Sequence, residues 1–284
     1  MITSGEPVPA ERLGPYRLEE RLGEGEMGPV FRAVREPDGL QVALRVLRPE
    51  LSHDDVFRRR FVHEARAAAE VQHRNLVRIL ESGEADGRSF LAVELVRGQT
   101  LERRLEAEVR LPVDEVVRLV AHVGSGLDAL HAAGLVHRDV RPSNIMLEED
   151  GSALLVDFGL ARGPAFTGLT HPGVGTGTLD YLAPELLRGD EATAASDLYA
   201  LGGVAYQCLT GRTPFAHRSL LELAGAHLSE APPEPAAVRP ETPPGLSWAI
   251  RQALSKDPGQ RPPTGSAFAD LVAFGAGRGR ASPA

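Results

Sequence analysis

The sequence predicts an α+β fold in two lobes: a small β-rich N-terminal lobe with one helix, then a larger α-helical C-terminal lobe. Strand-like stretches, rich in apolar and β-branched residues and broken by glycines, occupy residues 16–46, 76–82 and 90–96. After residue 100, apolar residues recur at steps of three and four, which is the spacing of one helix face. The length of 284 residues suits one two-lobed domain or two compact domains.

Helices are predicted in both lobes. The first lobe has one, over residues 57–71, and the turn-like residues 84–87 separate its last two strands. The longest apolar stripe predicts a helix that ends before Gly134, a suitable residue just past a helix C-terminus. The stripe consists of Val116, Val120, Val123, Leu127 and Leu130. Further helices are predicted over residues 196–209, 220–228 and 247–255, with the proline-rich residues 231–244 as a connector.

The composition is that of a globular protein with an acidic charge balance. The formal charge of −8 disfavours binding to nucleic-acid phosphates. No apolar run approaches the roughly 18–20 residues that span a membrane, and residues 1–11 lack the pattern of a signal peptide. The single cysteine, Cys208, excludes an internal disulfide and favours a reducing compartment. We therefore expect a cytoplasmic chain without a membrane segment or a nucleic-acid partner.

Three glycines with the spacing G-x-G-x-x-G lie in one segment of the first lobe. The segment is Leu22-Gly23-Glu24-Gly25-Glu26-Met27-Gly28-Pro29-Val30. The spacing alone fits either a dinucleotide-binding turn, which leads from a strand into a helix, or a hairpin. Strand-like sequence lies on both sides, which favours a hairpin whose backbone N–H groups can close over phosphates.

Five further motifs follow in a fixed order. They are Val42-Ala43-Leu44-Arg45-Val46-Leu47 in a strand, Glu64 in the first helix, Val136-His137-Arg138-Asp139-Val140-Arg141-Pro142-Ser143-Asn144, Val156-Asp157-Phe158-Gly159, and Gly177-Thr178-Leu179-Asp180-Tyr181-Leu182-Ala183-Pro184-Glu185. Each alone could be an ordinary strand, turn or solvated loop. Together, and with Asp197 and Arg261, they resemble the bacterial branch of the Ser/Thr protein kinase family (Hanks-type, eukaryotic-like) over residues 14–274.

The resemblance implies a domain organisation. A protein kinase domain is expected over residues 15–274, with its N-lobe at about 15–96 and its C-lobe at about 97–274. Residues 1–14 are expected to form a flexible lead, and residues 275–284 a disordered tail.

The resemblance also implies the reactants. ATP would be the phosphate donor, proteins the acceptors, and Mg²⁺ (or Mn²⁺) the metal. Asp139 would orient the substrate hydroxyl, with Arg141 beside the γ-phosphate. Asn144 and Asp157 would hold the metal, which prefers oxygen ligands. This set suits phosphoryl transfer, which asks mainly for positioning and charge neutralisation.

The resemblance places the nucleotide as well. Adenine would lie between Val30 and Ala43 on one side and Leu147 on the other, bonded by backbone near Glu94 and Val96. The implied nucleotide-binding residues are Leu22, Gly23, Gly25, Gly28, Val30, Ala43, Arg45, Glu64, Glu94, Val96 and Leu147.

Three regulatory or structural features follow from the same resemblance. Arg138 would meet a phosphate on the loop between Asp157 and Glu185, while Glu185 and Arg261 would form a buried ion pair. Relatives form homodimers through the N-lobe, and the resemblance implies that this chain could form the same kind of dimer. The candidate phosphorylation sites are Thr170 first, then Thr167 and Thr176, with ordinary surface threonines as the alternative.

The sequence departs from the family where phosphates bind. Arg45 and Arg141 replace lysines, and Lys256 is the only lysine among 31 basic residues. Arginine keeps the charge, but its guanidinium is a wider, planar fork. At the tip of the glycine segment Glu26 brings a negative charge, and Pro29 removes a backbone N–H.

These departures leave two main interpretations open. In the first, compositional drift from lysine to arginine leaves a Ser/Thr kinase of reduced activity, which the intact Asp139, Asn144 and Asp157 favour. In the second, the chain is a nucleotide-binding pseudokinase that acts as a signalling scaffold. A small-molecule phosphotransferase is disfavoured by residues 177–185, which resemble a polypeptide-receiving segment. Within that segment Gly177-Thr178 favours Ser/Thr over Tyr substrates. The arginine at position 141 points slightly the other way, because some tyrosine kinases have arginine there.

Overall fold

The computed structural model describes residues 6–7, 11–25, 27–52, 54–157 and 179–278. The chain divides into two compact units, Met1–Gln99 and Thr100–Ala284. The predicted α+β architecture is confirmed: the first unit is mostly antiparallel sheet and the second mostly helix.

One antiparallel sheet forms most of the first unit. Its strands are β1 (Glu6–Pro7), β2 (Arg12–Leu13), β3 (Tyr16–Gly25), β4 (Gly28–Arg35), β5 (Leu40–Val46), β6 (Ile79–Ala85) and β7 (Arg88–Glu94). Their order is β1-β3-β4-β5-β7-β6, with β2 paired to β3. Strand β6 begins three residues later than predicted, although Leu76 and Val77 ahead of it are buried, and it runs on to Ala85, so that the turn predicted over residues 84–87 is only Asp86-Gly87.

A buried core holds this sheet together. It includes Tyr16, whose ring meets Phe90 edge-on at 5.4 Å between centroids. Leu13 belongs to the same core and is fully buried, so the end of the predicted flexible lead is in fact part of the sheet. Burying one such leucine stabilises the fold by about 1.5–3 kcal/mol, which accounts for this difference.

The helices of the first unit are α1 (Pro49–Ser52) and α2 (Asp55–Ala69). Asp54 caps α2, because its side chain accepts from the backbone N of Val56 and Phe57. The face that α2 buries carries Phe57, Phe61, Ala65 and Ala68, which is the expected helical spacing. A short strand, β8 (Gly98–Thr100), leads into the second unit.

The second unit is built around two long helices. Its helices are α3 (Leu101–Glu108), α4 (Val113–Ala132), α5 (Pro184–Arg188), α6 (Ala194–Thr210), α7 (Leu220–Ser229), α8 (Pro235–Val238), α9 (Pro244–Ala253) and α10 (Gly265–Gly275). The predicted stripe of α4 is buried throughout, and Gly134 follows the helix with φ 73°. The connector over residues 231–244 contains α8, and α3, α5 and α10 were not predicted.

Two short strands and a helical turn carry the loop motifs. Strands β9 (Ile145–Glu148) and β10 (Ala153–Leu155) pair antiparallel, and the 3₁₀ turn Pro142–Asn144 precedes them. At the other end of the unit, Arg278 donates to Asp114. The predicted disordered tail is therefore ordered as far as Arg278, while residues 279–284 lie outside the described residues.

Candidate active site

Asp197 organises the loop that carries Asp139. It lies in α6, is 1% exposed, and accepts hydrogen bonds from the backbone N of His137 and of Arg138, each at 2.8 Å. The His131 side chain lies 2.8 Å from the same carboxylate. Arg138 has φ 67°, an uncommon value for a residue with a side chain. These bonds hold the strained turn that presents Asp139.

His137 supports the same loop from inside. It is fully buried, and burial lowers its pKa, so the ring is neutral at ordinary pH. Its Nδ1 accepts a hydrogen bond from the backbone N of Asp139 at 3.3 Å.

Asn144 and Asp139 form a rigid pair. The Asn144 Nδ2 donates to the backbone O of Asp139 at 2.9 Å and to its Oδ2 at 2.7 Å. Oδ1 is consequently the amide atom turned away from Asp139, and an amide oxygen is a ligand for a hard cation. The backbone N of Val156 donates to the Asn144 O at 2.9 Å. Asp157 is the next residue after Val156, so this bond holds its backbone near Asn144.

The donor set fits Mg²⁺. It offers one amide oxygen from Asn144 and a carboxylate from Asp157, and Mg²⁺ is commonly bound by few protein oxygens plus phosphates and water. Asp157 has φ 63°, a further strained residue at this place. Among the described residues, no group of three or more His, Cys, Asp or Glu side chains could hold a metal ion.

Arg141, which was predicted to lie beside the γ-phosphate, is near the Asp139 carboxylate. Its Nε lies 3.5 Å from Asp139 Oδ2. Both residues line a concavity of the second unit together with Tyr181, Leu182 and Ser196. The concavity therefore combines a carboxylate with positive charge beside it.

The segment after residue 178 is tied to the helical core. Tyr181 donates to Gln207, and burial raises its pKa. The Asp180 carboxylate accepts from Thr213 Oγ1 at 2.9 Å, and burial raises its pKa too. This anchored segment lines the concavity beside Asp139.

The glycine segment is a hairpin, as predicted. Gly23 pairs with Val30, Glu24 with Pro29, and Gly25 with Gly28. A second strand follows the glycines, so the dinucleotide alternative, which needs a helix there, is wrong.

Arg45 lies in the middle of the sheet, opposite Val30 on β4 and Leu91 on β7. A methyl group placed on Gly25 would lie 3.1 Å from Arg45 Nη1, so the hairpin backbone and the guanidinium are in close contact. Glu64 is half-buried on α2.

The other implied nucleotide residues have definite positions in their own units. Ala43 lies on β5 opposite Arg32 and Val93. The half-buried Leu22 is in β3, Glu94 ends β7 and Val96 follows it, while Leu147 lies in β9 opposite Ala153. Several predicted positions lie outside the described residues: Glu26, Phe158, Gly159, Thr167, Thr170, Thr176, Gly177 and Thr178.

Sequence reasoning missed three supporting residues: His131, Thr213 and Arg48. Their partners lie 66, 33 and 24 positions away in sequence. No local pattern signals a side-chain contact at that separation.

A glycine hairpin on a small sheet and an acid-bearing loop on a helical unit define a phosphotransferase domain of the protein kinase type. The protein kinase domain family matches residues 16–270, and the chain belongs to that family. Relatives include the serine/threonine-protein kinases PknH and PknE of Mycobacterium tuberculosis. PknH is 39% identical over 249 residues, covering 88% of this chain and 40% of PknH. PknE is 40% identical over 250 residues, covering 88% of this chain and 44% of PknE.

Solved structures agree with this assignment. The kinase domain of Mycobacterium tuberculosis PknI has a TM-score of 0.77 and 31% identity, with 95% of this chain and 99% of that one covered. The chain spans less than half the length of the curated relatives it matches. Within the described residues, every helix is too short or too polar to cross a membrane.

Proposed function

We propose that this chain is a Ser/Thr protein kinase domain that transfers the γ-phosphate of ATP to protein hydroxyls. The observation that carries the proposal is the Asp139–Asn144 pair, in which the amide nitrogen donates to both the backbone O and the carboxylate of Asp139, so that the amide oxygen is turned away. Membership of the kinase family and the similarity to named Ser/Thr kinases support it.

Each residue has a distinct task in this proposal. Asp139 orients the acceptor hydroxyl and takes its proton, and Arg141 lies beside the γ-phosphate. Asn144 and Asp157 hold Mg²⁺ (or Mn²⁺), which supplies charge neutralisation at the phosphates. The nucleotide-binding residues implied by the family, from Leu22 to Leu147, belong to the same proposal.

The Arg45 guanidinium is proposed to lower the rate. It spreads its charge over a wider plane than an ammonium, and a displacement of about 1 Å in the reacting groups can cost on the order of a hundredfold. The second candidate function is a nucleotide-binding pseudokinase, which the departures at Arg45, Glu26 and Pro29 together favour.

Autophosphorylation separates the two candidates. Wild type, Asp139→Asn and Arg45→Lys are compared with radiolabelled ATP, together with a thermal-shift titration of Mg-ATP. A kinase of reduced rate shows weak activity that Asp139→Asn abolishes and Arg45→Lys raises, with stabilisation by Mg-ATP. Activity that survives Asp139→Asn refutes the role of that residue. An inert wild type that Arg45→Lys rescues supports the pseudokinase, and no stabilisation by Mg-ATP removes both candidates.

A further inference from the structure

The tip of the glycine hairpin is attached to the strand exit that follows Arg45. The backbone N of Arg48 donates to the backbone O of Met27 at 2.8 Å, and Met27 is 3% exposed. Gly28 adopts φ 141° and packs so closely on this exit that a Cβ there would lie 2.1 Å from the Val46 O. The hairpin therefore packs against the end of β5.

The Arg48 side chain fastens the adjoining strand of the hairpin. Its Nη2 donates to Glu24 Oε1 at 2.9 Å and approaches the Gly25 O at 3.4 Å. The other oxygen of Glu24 accepts from Arg21. The contacts of Arg48 with Met27, Glu24 and Gly25 are called the hairpin anchor below.

The anchored hairpin leaves no room for a phosphate above Arg45. A methyl group on Gly25 would already lie 3.1 Å from Arg45 Nη1. A phosphate held between the hairpin backbone and the guanidinium needs a hydrogen bond of about 2.8 Å on each side, plus its own width. The hairpin must lift before ATP phosphates can reach Arg45.

We propose that Arg48 is a positioning residue that holds the glycine hairpin down on Arg45 and thereby sets the affinity for the phosphates of ATP. The inference rests on the proposed function, since it concerns the same nucleotide. The Arg48–Glu24 pair is exposed, with 48% and 42% of the two side chains accessible, so it is weak enough to be released by a ligand. Apparent affinity is the intrinsic affinity scaled by the fraction of open hairpin.

Charge is the main confounding factor, and the pair allows a matched design. Arg48→Ala removes a positive charge, and Glu24→Gln removes a negative one. The double variant Arg48→Ala/Glu24→Gln keeps the net charge of wild type while it removes the side-chain contacts of the anchor, and the backbone bond from Arg48 N to Met27 O stays. The exchanged variant Arg48→Glu/Glu24→Arg restores an ion pair with reversed polarity. Arg21→Ala serves as the control, because it removes a partner of Glu24 and leaves the contacts of Arg48 in place.

The measurements are the dissociation constants of Mg-ATP and of adenosine for each chain, by calorimetry. The double variant is expected to bind Mg-ATP about two- to fivefold more tightly, the size of effect that an exposed ion pair can give. The exchanged variant and Arg21→Ala are expected to match wild type. Adenosine, which has no phosphate, is expected to bind all of them equally. In phosphotransfer assays the double variant lowers KM for ATP and leaves kcat unchanged.

Several outcomes overturn the inference. Mg-ATP binding that is unchanged or weaker in the double variant shows that Arg48 does not restrain the hairpin. An equal gain for adenosine shows that the effect does not act on phosphates. Wild-type binding with no response in any variant overturns this inference and leaves the proposed function standing, whereas no Mg-ATP binding in wild type or any variant overturns both.

Discussion

Lysine occupies a single position in the chain, and its surroundings differ from those of Arg45. The Lys256 Nζ lies 4.6 Å from the centre of the Phe215 ring and 5.7 Å from that of Tyr199. It donates to the Ala226 O at 3.0 Å. Arg261 covers the Tyr199 ring as well, at 4.8 Å. A compact ammonium fits between these groups, whereas a guanidinium at position 256 would need more space than they leave.

The surroundings of Arg45 and Lys256 differ in the width of the cationic group that they accommodate. On β5, Arg45 has the thin backbone of Gly25 beside its guanidinium, which leaves space for the wider group. At Lys256 the neighbours are two aromatic rings and a guanidinium. Compositional drift and loss of phosphotransfer are the two interpretations of Arg45, whereas at Lys256 the shape of the site favours a compact ammonium.

We predict that Lys256→Arg destabilises the protein by about 1–2 kcal/mol, because an overfilled site forces its neighbours apart. Urea unfolding of wild type and variant measures the difference. Arg251→Lys, a change at an exposed residue that pairs with Glu234 at 2.6 Å, is the control and is expected to stay within about 0.5 kcal/mol. Equal stability of Lys256→Arg and wild type would show that the slot accepts a guanidinium.

The same lysine predicts a pH dependence. Burial, followed by the charge of Arg261, lowers the pKa of Lys256 from 10.5 to about 8, although the negative charge of Glu230 acts in the opposite direction. Between pH 8 and 10.5 the unfolded chain therefore binds more protons than the folded one, and the lysine's contribution to stability rises with pH. The stability of wild type relative to Lys256→Met should increase across that window, and a flat difference would contradict the shift.

At the scale of elements, α4 and α10 cross at two glycines. A Cβ on Gly124 would lie 2.7 Å from the Gly265 O, and one on Gly265 would lie 2.2 Å from the Gly124 O. The two backbones are therefore in direct contact, and α10 is placed by this approach together with the bonds from its first residues to Asp128. Gly265 N and Ser266 N donate to that carboxylate at 2.6 and 2.8 Å.

Replacing either glycine should separate the helices. We predict that Gly124→Ala costs about 2–4 kcal/mol, in the range of severe packing changes. Gly225→Ala in α7 is the control, because nothing lies within 4 Å of its added Cβ. There, alanine is expected to be neutral or to stabilise by up to about 1 kcal/mol through helix propensity. Thermal unfolding of both variants tests this, and similar melting temperatures would contradict the close crossing.

The elements also show what the sequence can predict. The stripe from Val116 to Leu130 predicts α4 because only one face of that helix is buried. Helix α10 escapes prediction because it begins at Gly265, a poor helix former whose place is set by contact with Gly124. The hairpin and each kinase motif are short contiguous segments, so they are predictable from the sequence. The contact of Arg48 with Glu24, and that of His131 with Asp197, depend on tertiary packing and are not.

At the scale of the whole molecule, a buried ion pair joins distant parts of the second unit. Arg261 Nη1 and Nη2 donate to the two oxygens of Glu185 at 2.6 and 2.7 Å, and both side chains are nearly inaccessible. The guanidinium also donates to the Ser255 O at 2.9 Å and the Ala195 O at 2.8 Å. This arrangement confirms the buried pair expected from the sequence, and it links α5, α6 and the segment before α10.

We predict that Glu185→Ala lowers the free energy of unfolding by roughly 3–5 kcal/mol, because it leaves a buried guanidinium without its countercharge. The matched control is Glu234→Ala, which removes the acid of the exposed pair with Arg251. Exposed pairs contribute roughly 0–1 kcal/mol. The loss in free energy of unfolding should therefore be several-fold larger for Glu185→Ala than for Glu234→Ala, although both variants replace a glutamate by alanine.

A lysine-specific protease can report this difference, since Lys256 gives it one site in the entire chain. The Lys256 Nζ is held by the Ala226 O, and the Arg261 Nη2 approaches the Lys256 O at 3.4 Å, so the site has to open before it is cut. When opening is fast relative to cleavage, the rate follows the population of the open form. Glu185→Ala should then be cut about 100- to 4,000-fold faster than wild type, since each 1.4 kcal/mol is a factor of ten. Glu234→Ala should be cut at nearly the wild-type rate, and equal rates for the two variants would show that the Glu185–Arg261 pair does not hold this unit closed.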